Sequence, residues 1–271
     1  MFKHSIFSLP FIFIAMIVAA DGWFGFWLLI MGILAAVSAR NFAMGLNRYA
    51  DRDIDALNAR TADRPNVDGR LDSSSILVFI LVNAFVFVAI AYMINSLALY
   101  LSIPILIVLG SYSYFKRFSS LAHIVLGLSL GLAPIAGVVA VQASIPAWSV
   151  MLSLGVLFWV AGFDLLYSLQ DIDFDKNNNL YSIPSRYGVD ATLFISALFH
   201  MLSVIFWALF AWVAGLGLFA FLAVIFSALM LAYEHKLVRR DFTKIDRAFF
   251  TVNGYLGIVF FVFIILDKVL A

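Results

Sequence analysis

Long uninterrupted apolar runs alternate along this chain with short polar segments. Nine runs reach or approach the ~20 mostly apolar residues that a bilayer-crossing helix needs: 5–20, 23–46, 74–94, 97–115, 119–141, 147–170, 191–213, 216–234 and 247–266. Inside them the apolar residues are continuous and lack the two-residue alternation of lipid-facing strands. The pattern predicts an all-α polytopic membrane bundle of nine transmembrane helices, with residues 1–271 as a single integral-membrane domain and no soluble domain beside it. Lys3, the apolar run after it and the small pair Ala19–Ala20 also fit a cleaved signal peptide, but a retained first span is normal in such a bundle.

Composition agrees with the pattern. Hydrophobic residues make up 64% of the 271 and charged residues 12%, against about 45–50% and about 25% in soluble domains; mean hydropathy is +1.04. A soluble enzyme, a disordered chain and a nucleic-acid binder are excluded, and the lack of cysteine removes thiolate chemistry. The net charge of +1 matters less than its placement. With nine spans, every one of the 17 basic residues except Lys268 falls on one side, including Lys3, Arg40 and Lys244. The positive-inside rule makes that side cytoplasmic, with the N-terminus inside and the C-terminus outside. All 16 acids except Asp21 and Asp267 fall there too. The rule does not require this, so something else holds carboxylates at that face.

The acids concentrate in two boxes where spans two and six leave the membrane. The first reads Asn47-Arg-Tyr-Ala-Asp51-Arg-Asp53-Ile-Asp55, followed by Arg60-Thr-Ala-Asp-Arg64-Pro65; the second reads Asp164-Leu-Leu-Tyr167-Ser-Leu-Gln-Asp171-Ile-Asp173-Phe-Asp175. Asn47, Asp51 and Asp55 are spaced by four and predict one helical stripe, which Arg40 extends upstream. Asp171 and Asp175 repeat the spacing, with Asp164 and Tyr167 continuing the stripe into the bilayer, and the boxes' placement hints at a pseudo-repeat of four helices. Like charges at this spacing destabilise a helix unless a cation offsets them. Mg²⁺ is held by a few carboxylates, waters and phosphate oxygens, so each box is half of a metal–diphosphate site. An EF-hand loop is excluded, because its sixth and twelfth positions need Gly and Glu and hold Ala56 and Ala62, or Lys176 and Ser182. A merely solvated acidic face does not explain Asn47 and Asp164, which lie inside apolar spans, where ionisable residues mark function by default.

A diphosphate also needs bases, and Arg60, Arg64, Lys116, Arg117 and Arg186 lie in three loops on the boxes' side. Each alternatively serves topology alone, as expected of the loop from Glu234 to Asp241. The four histidines point to no ligand set: His4 and His235 are terminal or loop residues, and His123 and His200 are expected to be structural.

The motif Asn47-x-x-x-Asp51-x-x-x-Asp55, the Arg60-to-Pro65 segment and Asp171-x-x-x-Asp175 together resemble the UbiA superfamily of intramembrane aromatic prenyltransferases. Tyr114-Phe-Lys116-Arg117 followed by Gly127-x-x-x-Gly131-Leu-Ala-Pro134 is similar to that family as well. The resemblance implies nine helices in the cytoplasmic (inner) membrane, a polyprenyl diphosphate donor, Mg²⁺ and an aromatic acceptor. It implies that Asn47, Asp51, Asp55, Asp171 and Asp175 bind Mg²⁺–diphosphate while Arg60, Arg64, Lys116 and Arg117 neutralise phosphate. The first box and Ser182-Ile-Pro-Ser-Arg-Tyr-Gly are similar to a 4-hydroxybenzoate polyprenyltransferase-like subgroup, some members of which serve a menaquinone route with a dihydroxynaphthoate acceptor. The lysines that many hydroxybenzoate enzymes carry after the second box are missing from the equivalent stretch, Asn177-Asn-Asn-Leu-Tyr181-Ser182, or shifted to Lys176.

The chemistry closes on these residues. Cation and bases stabilise charge on a departing diphosphate, a buried cavity keeps water from the allylic cation, and Asp164 or Tyr167 orients the acceptor hydroxyl or steadies the cation. The rival reading is an ion-coupled secondary transporter using the paired carboxylates. Transporter sites lie near the bilayer midplane, however, and these boxes lie at one face. A CDP-alcohol phosphotransferase is disfavoured by the missing D-G-x-x-A-R signature.

Overall fold

A computed structural model describes residues 5–58, 61–242 and 245–270, which places Lys3, His4, Arg60 and Lys244 outside the described residues. All its regular elements are helical: α1 (Ser5–Ala20), α2 (Phe26–Ala50), α3 (Arg52–Leu57), α4 (Ser73–Ile94), α5 (Ser96–Phe115), α6 (Ala122–Gln142), α7 (Ala147–Ser168), α8 (Ile172–Asn177), α9 (Ile183–Val213), α10 (Leu218–Arg240), α11 (Ile245–Arg247) and α12 (Asn253–Leu270). A 3₁₀ turn, Leu169–Asp171, joins α7 to α8, and a π-helical turn, Ala248–Val252, leads into α12. Among the described residues eight helices are long and apolar enough to cross a membrane, and Ser8–Ala20 is a shorter apolar helix. The chain is therefore a multi-pass membrane protein.

Local chemistry sets the helix limits. The Asp72 carboxylate accepts from Ser74 N and Ser75 N and caps α4, as Asn95 does for α5 through Ala98 N. A Ser182/Ser185 capping box with Pro184 in the first turn starts α9, each device satisfying donors that a helix start leaves open. α9 begins earlier than the expected 191 because a short turn precedes a kink at Gly188, whose φ of 81° only glycine adopts without strain. At the other end of α12, buried Asp267 accepts from Gly217 N and Ala220 N and so caps α10 from a neighbouring helix.

α7 is apolar nearly all round and lies enclosed between α6 and α9, as such a helix must. α6 approaches it closely because Gly127 and Gly131 face its backbone: a methyl on Gly131 would sit 2.9 Å from the Ser153 carbonyl oxygen, and one on Gly127 would overlap that of Leu157. Small residues at four-residue spacing are the usual device for tight packing in membranes, where the hydrophobic effect does not drive helices together. On the far side of α7, Phe11, Trp159, Trp207, Phe210 and Phe260 fill the space between α1, α7, α9 and α12. α2 packs on α4 and α5 instead, and the space between this group and α6–α7 is a cavity.

Two expectations for the loop at 234–241 are corrected. Glu234 and His235 belong to α10, not to a loop, and Glu234 is fully buried. Its Oε1 accepts from Asn253 Nδ2 at 2.7 Å, and Asn253 Oδ1 accepts from Trp159 Nε1 at 2.7 Å. The turns of α10 carrying these polar residues are folded against α7, α9 and α12, so their charge pattern misreads as a solvated loop. His235 Nε2 lies 2.9 Å from His200 Nδ1, giving both histidines a buried partner in the bundle.

Candidate active site

The cavity has a volume of about 560 Å³ and takes its walls from α1, α2, α4, α5, α6 and α7. Its polar end is built by the two boxes. The chain bends at Asp51, between α2 and α3, yet Asp51 N still bonds Asn47 O and Asp55 N bonds Asp51 O, so the four-residue register survives the bend. Asn47, Asp51, Asp55, Asp171 and Asp175 all line the cavity, so the structure brings together in space two boxes that are 120 positions apart in sequence. Asn58, one turn beyond Asp55, links them by donating to Asp171 Oδ1 at 3.5 Å. The segment after the first box folds back over it, with Thr61 Oγ1 donating to Asp55 O and Asn66 Nδ2 to Arg48 O.

The bases Lys116 and Arg64 also line this end, each set on a carboxylate. Lys116 Nζ lies 2.6 Å from Asp51 Oδ2, an oxygen that also accepts from Asn47 Nδ2 at 2.8 Å. Arg64 Nη1 donates to both oxygens of Asp55, at 2.8 and 2.7 Å. Burial pushes the Asp51 carboxyl above the usual carboxylate range, and the Lys116 ammonium opposes that rise. Arg117 stands outside the cavity. It donates to both oxygens of Asp53 and to the Ala50 carbonyl, which holds Asp53 below the usual range and pins the end of α5 to the end of α2. Arg186 also lies outside the cavity lining, its guanidinium 4.0 Å from the centre of the Tyr181 ring. Tyr181 N in turn donates to Lys116 O, tying the loop after the second box to the end of α5. Arg60 falls outside the described residues.

Deeper in the cavity lie Arg40, Tyr112, Asp164 and Tyr167. Tyr167 packs against Phe249 of the π-helical turn, the rings tilted by 36° with centres 4.3 Å apart. His123, expected to be structural, is buried and its Nδ1 lies 2.7 Å from Asp164 Oδ2. The two residues are 41 positions apart, on α6 and α7, so no spacing rule along the chain links them. Beyond these groups the walls become apolar. Gly32, Ala36, Ala39 and Ala43 follow one another on a single face of α2 and keep a channel open for about 17 Å along its axis.

Among the described residues, no three carboxylate or imidazole groups are close enough to hold a metal by themselves. The residues do suit Mg²⁺ shared with a diphosphate: four carboxylates line one end, and Asp51 Oδ1 is buried without a hydrogen-bond partner. Such an orphaned acceptor requires an explanation, and a cation accompanied by phosphate oxygens supplies one.

Fold and cavity thus define a helical membrane protein with an acid- and base-lined chamber that continues into an apolar channel. A model of the UbiA prenyltransferase family matches residues 8–264, and the chain belongs to that family. The 4-hydroxybenzoate octaprenyltransferase of Herminiimonas arsenicoxydans is 30% identical over 256 residues, which cover 93% of this chain and 89% of that one. A UbiA homologue from Aeropyrum pernix, solved in its apo form, superposes with a TM-score of 0.89 at 30% identity over 98% of both chains. A UbiA homologue from Archaeoglobus fulgidus, solved with DMAPP and Mg²⁺, has a TM-score of 0.79 at 19% identity, covering 98% of this chain and 96% of that one. At that identity the likeness shows the fold alone.

Proposed function

We propose that this protein transfers a polyprenyl group from a polyprenyl diphosphate to the ring of an aromatic acid, 4-hydroxybenzoate, in quinone biosynthesis, and that it needs Mg²⁺ to do so. The observation that carries the reading is the cavity itself, in which four carboxylates and the bases Arg48, Arg64 and Lys116 stand at one end of a channel walled by small and apolar side chains. The names of the bacterial relatives support 4-hydroxybenzoate as the acceptor, and the ligands of the archaeal homologue support Mg²⁺. Asp51, Asp55, Asp171 and Asp175 would hold the ion together with the diphosphate; when bound, it offsets negative charge on the leaving group. Lys116 and Arg64 are then free to meet phosphate oxygens, which both bind well. The apolar channel accepts the tail and keeps water from the allylic carbon.

At the ring, Asp164 accepts the proton of the acceptor hydroxyl. The ring carbon beside that hydroxyl forms a C–C bond to the prenyl carbon, and the C–O bond breaks with its electron pair passing to the diphosphate. The ring proton passes from the new tetrahedral carbon to the departed diphosphate, which restores aromaticity, and Asp164 returns the hydroxyl proton. Tyr167, held on Phe249, forms part of the wall that faces the cation. The positive-inside rule puts this end of the bundle, and the N-terminus, on the cytoplasmic side of the inner membrane.

The test is to incubate membranes holding the protein with a polyprenyl diphosphate, Mg²⁺ and either 4-hydroxybenzoate or a dihydroxynaphthoate, and to identify lipid products by mass spectrometry. Prenylated hydroxybenzoate is the expected product. Prenylation of the naphthoate alone would change the acceptor, and no prenylated aromatic with either would overturn the reading. Full turnover in EDTA would remove the metal from it.

A further inference from the structure

His123 lies in the first turn of α6 and is buried, with 6% of its side chain exposed. It does not line the cavity, whereas Asp164, its partner at 2.7 Å, does, with 21% of its side chain exposed. His123 Nε2 is buried with no hydrogen-bond partner. Nδ1 is the ring nitrogen that meets a partner, and with a proton there the ring donates to Asp164 Oδ2.

We infer that His123 is a positioning residue for prenyl transfer. It grips one oxygen of Asp164 from behind and leaves the other, which no protein donor occupies among the described residues, directed to the acceptor hydroxyl. The inference rests on the proposed role of Asp164 in accepting that proton. A carboxylate on its own side-chain torsions samples several orientations. One strong hydrogen bond from a buried ring that cannot itself move restricts it to a single one, as outer hydrogen bonds do for ligands in metal sites. α6 can supply this grip because Gly127, four residues after His123, allows it to lie against α7. The close helix packing and the held carboxylate thus have one origin.

The test uses the full-length protein in membranes with a polyprenyl diphosphate, Mg²⁺ and 4-hydroxybenzoate. His123→Phe keeps the ring's bulk but has no donor, and His123→Asn places an amide N–H near the former Nδ1. His123→Phe is expected to lower kcat about 10–100-fold, the range found when outer hydrogen-bond partners are removed, with the KM for the diphosphate unchanged. His123→Asn is expected to regain most of that loss although it packs less well. His123→Phe combined with Asp164→Asn should be no slower than Asp164→Asn alone, because the two residues act as one unit. Wild-type kcat in His123→Phe would overturn the inference, as would equal losses in the Phe and Asn variants or multiplicative losses in the double variant. An Asp164→Asn protein with full turnover would instead sink the role of Asp164, so the two failures are distinguishable. A raised diphosphate KM in His123→Phe would show a packing defect and also overturn the inference.

Discussion

Lys116→Met probes the polar end of the cavity most directly. The pair it breaks is close, at 2.6 Å, and unequal in burial, with 3% of the Asp51 side chain exposed and 30% of Lys116. Removing one partner of a buried pair costs about 3–5 kcal/mol because the other charge is stranded. Here Asn47 Nδ2 still donates to the same Asp51 oxygen and Lys116 is partly solvated, so about 2–3 kcal/mol is the better figure. For a chain of this size that lowers the unfolding midpoint by about 5–10 °C. The assay is thermal unfolding in detergent at a fixed scan rate, followed by circular dichroism, without and with Mg²⁺ and a diphosphate. Without them Lys116→Met should unfold early, and saturating ligand at about 100 Kd returns about 2.7 kcal/mol. Adding Asp51→Asn to Lys116→Met removes the stranded charge and should restore most of the stability with no ligand present. A Lys116→Met protein that unfolds at the wild-type temperature, or a double variant no better than the single, would refute the charge argument.

Four further outcomes follow from the packing and polar contacts. Arg64→Met, which strips two hydrogen bonds from Asp55, should weaken binding of a polyprenyl diphosphate about tenfold or more, measured by calorimetry. Ala39→Phe should narrow the channel and lower kcat/KM for a long-chain donor about 100-fold while a dimethylallyl donor loses far less, a split read by comparing the two substrates. Gly131→Val drives a side chain into the Ser153 carbonyl and should destabilise the bundle by about 3 kcal/mol or more, visible as a lowered unfolding midpoint. Asn253→Leu leaves Trp159 Nε1 and Glu234 without their shared partner and should cost about 2–4 kcal/mol, which Glu234→Gln in an otherwise unchanged chain should not.

The part of the fold that a linear chain can carry was legible. An apolar run long enough to cross a bilayer has little choice but helix, and the run at 74–94 became α4 (Ser73–Ile94) almost to the residue. Four-residue spacing inside the first box likewise survived into the cavity, even through the bend at Asp51. Boundaries slipped where helix continued past the apolar run. α2 extends to Ala50 because its last turn packs against the loop that folds back, through Asn66 and Arg48, and α10 runs on to Arg240 because Glu234 and His235 are sheltered by neighbouring helices.

What the sequence hid shares one physical cause. His123 with Asp164, Asn58 with Asp171, and the chain from Trp159 through Asn253 to Glu234 are pairings between separate elements, and their separations in sequence are set by the intervening chain and carry no chemical period. The same holds for the bases. In sequence Lys116, Arg117 and Arg186 share a charge and a side of the bundle, whereas the fold sets the direction of each side chain. Lys116 sits on Asp51 inside the cavity, Arg117 turns outward to Asp53, and Arg186 lies on Tyr181. One adjacent pair of bases therefore divides in direction: Lys116 stands opposite Asp51 inside the cavity, and Arg117 joins the end of α5 to the end of α2.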